Sequence, residues 1–156
     1  MGEIVVGGTA PDFERPIDGG GAVRLSDLRG HAVVLYFYPA DDTPGCTVEA
    51  ISFSALAPEF AALSARILGV SPDSVRSHDR FKAKHGITIQ LASDADHTVA
   101  ALYGVWVKKS RFGRDYMGVE RSTFLVGPDG RVSQMWRKVS AQGHAEAVLE
   151  AARRLP

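Results

Sequence analysis

The sequence predicts a mixed-sheet α/β protein, on three observations. Residues 31–38 (HAVVLYFY) and 66–70 form continuous apolar runs, rich in β-branched and aromatic residues, of the kind buried on both faces of a sheet. Each is followed by a segment with helical spacing or helix caps, so crossover connections build parallel strand pairs. The last third instead carries two strands around the turn Gly127-Pro128-Asp129-Gly130 and then a helix. The order βαβαβ followed by ββα therefore predicts a central mixed sheet flanked by helices.

In chain order, Gly19-Gly20-Gly21 turns an N-terminal hairpin between residues 12–16 and 22–25. A phosphate loop would need a following helix that opens on Lys-Ser or Lys-Thr, and none follows. Pro39 stops the first buried strand. Thr43-Pro44 then reads as a helix N-cap followed by proline at the first helical position. Phe53, Leu56, Phe60 and Leu63 continue that helix, which Pro58 should kink or divide. Residues 66–70 form the second strand and 74–85 a helix. A further helix over residues 98–103 precedes the third strand at 105–108. The hairpin 122–126 and 131–138 and a final helix over 143–154 complete the chain. That helix counts Ala147, Leu149 and Ala151 among its apolar residues and has two arginines in its last turn.

Composition narrows the function classes. A length of 156 residues with 45% hydrophobic residues suits one domain spanning residues 1–156. Such a chain buries roughly two-thirds of its unfolded surface and needs no disulfide or metal to be stable. Eighteen basic residues balance eighteen acidic ones, which argues against nucleic acid as a partner. The densest basic stretch, residues 108–114, reads as a solvated hairpin or loop. No basic segment and long apolar core open the chain, and the Met1-Gly2 start lacks the Ser or Thr at position 6 that a myristoylation signal carries. The longest strongly apolar run, residues 32–38, is far shorter than the roughly 20 residues that span a bilayer. A cytoplasmic protein without membrane contact is expected.

Cys46 is the only cysteine, so intramolecular disulfides, CxxC chemistry and cysteine-rich zinc sites are excluded. It follows a buried strand and falls at the third position of the next helix, where open α/β sheets place their active sites. The helix dipole and unpaired N–H groups there favour thiolate over thiol. A buried cysteine usually only packs, but one flanked by Thr-Pro-Gly at a helix start is a poor core filler. A tyrosine phosphatase would need arginine where Ser52 stands. A thioredoxin-type oxidoreductase would need cysteine at Thr43 or Glu49. A papain-like hydrolase needs a histidine beside sulfur, and no local pattern places one there; most of the five histidines read as surface or hinge residues. Attack of a thiolate on a peroxide needs no such base.

Residues 39–46, PADDTPGC, resemble the PxxxTxxC active-site motif of the peroxiredoxins, and TPGCTVEA resembles the bacterioferritin-comigratory (PrxQ) subfamily. The segments APDF, LSDLRG, VVLYFYP, GVSPDS, YGVW, GVERSTFLV and PDGRV continue the likeness, in order, over nearly the whole chain. The resemblance implies a thioredoxin-like fold and a thiol-dependent peroxidase of hydrogen peroxide and organic hydroperoxides, without cofactor or metal, as a monomer or homodimer. It makes Cys46 the peroxidatic nucleophile. It implies that the Thr43 hydroxyl bonds peroxide and sulfur, that Pro39 shields the pocket, and that Arg121 binds sulfur and peroxide oxygen. Gly45 completes the motif, and Glu49 orients Arg121. Full ionisation of a thiol with pKa about 8.5 gains only about 30-fold at pH 7. The remaining acceleration must come from donors aimed at the breaking O–O bond, from Thr43, Arg121 and the Cys46 N–H.

Many members of the subfamily carry a second, resolving cysteine five residues after the first; here that residue is Ile51. The sulfenic acid of Cys46 must therefore be resolved by an external thiol: thioredoxin, glutaredoxin with glutathione, or another low-molecular-weight thiol. Its persistence also fits a peroxide sensor that passes oxidation to a partner. A thioredoxin-fold binding scaffold is the non-redox alternative.

Overall fold

The computed structural model describes residues 3–156, so the Met1-Gly2 start lies outside the described residues. A five-stranded sheet forms its centre, in the order β5 (Gln90–Ser93), β4 (Ala65–Ser71), β3 (Ala32–Phe37), β8 (Ser122–Val126) and β9 (Val132–Trp136), with two separate hairpins, β1 (Glu14–Pro16) with β2 (Ala22–Arg24) and β6 (Trp106–Arg111) with β7 (Arg114–Val119). Strands β3 (Ala32–Phe37), β4 (Ala65–Ser71) and β5 (Gln90–Ser93) run parallel. Strands β8 (Ser122–Val126) and β9 (Val132–Trp136) extend the sheet antiparallel from β3. All six residues of β3 are buried, as a central strand with both faces covered requires.

Alternation along β3 builds two cores. Val34, Tyr36 and Tyr38 pack with Phe53 and Phe60 of α1 (Pro44–Ala62), Phe81 of α2 (Val75–His85), and Val148 and Leu149 of α4 (His144–Arg153). Val33, Leu35 and Phe37 face the opposite way, toward Phe13, Tyr103, Phe124 and Val99 of α3 (Thr98–Leu102). Ser74 caps α2 by accepting from the Ser77 N–H, and Gly86 ends it at φ 65°, the left-handed conformation that favours glycine. Hairpin β1 (Glu14–Pro16) and β2 (Ala22–Arg24) turns through Gly19, Gly20 and Gly21, all at positive φ.

One expectation is narrowed and one corrected. Pro58 does not divide α1, which runs unbroken to Ala62; the one hydrogen bond that proline forgoes is outweighed by burial of Phe53 and Phe60 on either side of it. The third parallel strand is β5, not residues 105–108. That segment belongs to β6 (Trp106–Arg111), which pairs with β7 (Arg114–Val119) outside the main sheet. Lys108 and Lys109 make β6 unfit for a buried position, whereas short β5 has Leu91 and Ala92 fully buried. The buried face of α4 is Ala145, Val148, Leu149 and Ala152, while Ala147 is exposed. The basic stretch is indeed a solvated hairpin, turning at Phe112 and Gly113, both at positive φ. No helix among the described residues is long and apolar enough to cross a membrane.

Candidate active site

Antiparallel pairing of β3 with β8 sets Phe37 opposite Ser122. Arg121, one residue before β8, therefore reaches the carboxyl end of β3, where the chain turns into α1. This register joins residues 75 apart in sequence. Thr43 occupies the N-cap and Pro44 the first helical position, and the first helical bond runs from the Thr47 N–H to the Thr43 carbonyl at 2.8 Å. The N–H groups of Gly45 and Cys46 lie ahead of that bond, without intrahelical partners.

Cys46 is 1% exposed. Arg121 divides its fork: Nη2 donates to Cys46 Sγ at 3.2 Å and Nη1 to Glu49 Oε1 at 2.6 Å. Such two-pronged contact suits the planar guanidinium and not an ammonium. Gly45 makes it sterically possible, since a Cβ there would stand 3.0 Å from Arg121 Nη2. Glu49 is fully buried, not an exposed helical carboxylate. Burial pushes its carboxyl up to about 7, against the opposing pull of Arg121. Burial also works against the charge on Arg121, yet Glu49 and the cysteine sulfur outweigh it, and its pKa is raised. The guanidinium thus stays charged beside the sulfur.

Thr43 departs from expectation. Its hydroxyl makes no cap bond and donates to the Ala40 carbonyl at 2.8 Å. With its hydrogen committed to the loop, Oγ1 is left free to accept. Pro39, at the end of β3, is half-buried beside this loop.

Sequence reasoning missed several neighbours. Tyr36 is fully buried, and its hydroxyl, like Glu49 Oε2, has no partner among the described residues. Gly69 leaves it room, because a Cβ there would lie 2.9 Å from the hydroxyl oxygen. Two histidines are buried and do not lie on the surface. His78 faces Asp41, and His144 lies 2.7 Å from Thr123 Oγ1. Burial, with Arg121 adding to it, drives the His144 ring down to about 4, so it is neutral near pH 7. The continuous apolar run of β3 could have marked Tyr36 as buried; nothing local marks the histidines. The described residues contain no cluster of three or more His, Cys, Asp or Glu side chains that could hold a metal ion.

The sequence profile of the AhpC/TSA family matches residues 6–135. Peroxiredoxin Bcp of Bacillus subtilis is 48% identical over 94% of both chains, and that of Escherichia coli 36% identical over 96% of both. Peroxiredoxin Q of Xanthomonas campestris superposes with a TM-score of 0.87 at 48% identity, covering 90% of this chain and 89% of that one. BcpB of Mycobacterium tuberculosis gives 0.86 at 40% identity over 99% of both chains. The Xanthomonas bacterioferritin comigratory protein has been described with alkyl peroxide reduction activity. Its solved forms include serine variants at two different cysteines, whereas this chain has one.

Proposed function

We propose, for a chain that belongs to the AhpC/TSA family and within it to the peroxiredoxins of the Bcp or PrxQ type, that it reduces hydrogen peroxide and organic hydroperoxides through Cys46 alone. The observation that carries this reading is the Arg121 fork, which touches the sulfur at 3.2 Å while anchored on buried Glu49. The Cys46 thiolate attacks the terminal peroxide oxygen. An S–O bond forms, the O–O bond breaks, and the departing alkoxide or hydroxide takes a proton, leaving the sulfenic acid and an alcohol or water. Arg121 and the Gly45 and Cys46 N–H groups stabilise the charge that develops on the oxygens, and Thr43 Oγ1 accepts from the peroxide hydrogen. Pro39 limits access of water to the loop.

One external thiol then condenses with the sulfenic acid, releasing water and leaving a mixed disulfide. A second thiol displaces it, restoring Cys46 and carrying away both oxidised sulfurs. Thioredoxin, glutaredoxin with glutathione, or another small thiol supplies the two electrons. This dependence suits the cytoplasm, where thiols are kept reduced. Residues 1–156 act as one peroxiredoxin domain, supported by the family match over residues 6–135.

A peroxidase assay with a panel of thiol donors tests the reading, with intact mass of peroxide-treated protein as its companion. Sustained turnover with at least one donor, and a mixed disulfide after one equivalent of small thiol, are expected. Stoichiometric oxidation followed only by capture of a partner protein makes the chain a sensor. Absence of both sulfenic acid and mixed disulfide removes the redox reading.

A further inference from the structure

Away from the sulfur, the densest buried polar cluster ties the loop before α1 to α2. His78 is fully buried, with Nε2 2.9 Å from the Ala92 carbonyl and Nδ1 2.8 Å from Asp41 Oδ2. A carbonyl only accepts, so Nε2 carries a hydrogen. A hydrogen must also lie between Nδ1 and Oδ2 for that contact to be attractive. Asp41 further accepts from Tyr38 Oη at 2.6 Å and from Ser77 Oγ at 2.8 Å.

The same loop is held on two more sides. The Asp41 N–H donates to Asp73 Oδ2 at 2.8 Å, and Ser71 Oγ donates to that same oxygen at 2.7 Å. The next residue, Asp42, adopts φ 59° and accepts from Lys84 Nζ and His85 Nε2, each at 2.7 Å. Two consecutive aspartates thus fasten residues 39–43 to both ends of α2. Thr43 follows directly and Cys46 three residues later.

We propose that His78 is a positioning residue for the peroxide reaction, fixing through Asp41 the loop that sets Thr43 and the first turn of α1 against Arg121. The role rests on the peroxidase reading of Cys46. The groups facing the pair are Tyr38 just past β3, Asp73 with Ser71 at the end of β4, the Ala92 carbonyl of β5, and Ser77 on α2 itself. In Asp41→Asn the amide N–H donates to Nδ1 while Nε2 keeps its hydrogen, so the same geometry forms, whereas Asp41→Ala leaves His78 Nδ1, Ser77 Oγ and Tyr38 Oη without that partner.

The test is the rate of Cys46 oxidation by excess hydrogen peroxide, followed by stopped flow at neutral pH on the reduced protein. His78→Leu should slow the reaction about tenfold or more at neutral pH, since small misplacements of reacting groups are costly, while far-UV circular dichroism is unchanged. Asp41→Ala should slow the reaction similarly, and Asp41→Asn, the conservative variant, should recover most of the rate. A His78→Leu protein oxidised at the wild-type rate overturns the role, as does an Asp41→Asn protein as slow as Asp41→Ala. If His78→Leu does not fold, Asp41→Asn against Asp41→Ala decides alone. A wild type inert to peroxide overturns the peroxidase reading itself, an outcome distinct from a reactive wild type that is insensitive at position 78.

Discussion

Glu49 and Asp94 are both buried carboxylates, 0% and 1% exposed, and their surroundings could hardly differ more. Asp94 follows β5 and is saturated. Oδ1 accepts from the Val99 N–H at 3.1 Å and Arg15 Nε at 3.2 Å, and Oδ2 from the Ala100 N–H at 2.9 Å. It holds the start of α3 in place of an N-cap side chain, because His97 at the cap position makes no such bond. Glu49 has a single partner, Arg121, on one oxygen and none among the described residues on the other. A buried charge is tolerable when its hydrogen bonds are complete and costly when they are not. The saturated carboxylate belongs to stability. The unsaturated one holds Arg121 in place by one prong, leaving the other for the sulfur.

Removing Arg121 breaks this contrast most severely. Arg121→Ala should slow single-turnover oxidation of Cys46 by on the order of 10²–10³, the loss typical of a transition-state donor. The thiolate fraction, followed by ultraviolet absorbance, should change by less than the rate. Equal changes in both would refute the division between ionisation and transition-state stabilisation. The converse substitution, Asp94→Ala, orphans two buried N–H groups and should cost about 2–4 kcal/mol in denaturant unfolding. Its rate per folded molecule should match wild type; a comparable loss of rate would mean that the two regions are coupled.

Thr43→Val should slow oxidation by roughly tenfold, about the worth of one hydrogen bond in the transition state. Because Ala40 also loses its donor, Thr43→Ser should recover most of the rate. The smallest effect is on stability against pH. The folded value of Glu49, about 7, lies above its ordinary 4.5, so the folded state takes up a proton in that interval. Its contribution is fully present below about 4.5 and is lost as pH rises through about 7. His144, lowered from 6.5 to about 4, works the other way: its contribution is present above about 6.5 and is lost as pH falls through 4. Over the shared interval the two slopes oppose each other. In Glu49→Gln, unfolding midpoints should therefore rise with pH more steeply than in wild type.

Much of this was legible along the chain because it depends on near neighbours. The strand-to-helix turn, the proline at the first helical position, Cys46 near the helix start and the lone thiol's need of an outside partner all follow from local pattern and counting. The late Ser-Thr-Phe segment also pointed to Arg121 just before it, though only through family likeness, since nothing local distinguishes that residue from an exposed arginine at a strand edge. The misplaced third strand shows the limit of periodicity. Gln90-Leu91-Ala92-Ser93 has too little apolar character to announce itself, while the β-branched and aromatic run Val105-Trp106-Val107 misleads.

The amino-acid sequence by itself determined the mixed α/β class, the place of the lone thiol at a helix start and the impossibility of an intramolecular disulfide, because each is written in spacing, composition or a count. Only the tertiary structure decided which side chains surround the sulfur. The β3–β8 register carries Arg121 to Cys46 across 75 positions, and α2 brings His78 to Asp41 across 37. It also decided what Thr43 does with its hydrogen and how far Glu49 is stripped of solvent. Those properties depend on burial and on hydrogen bonds between distant segments, which no local pattern encodes.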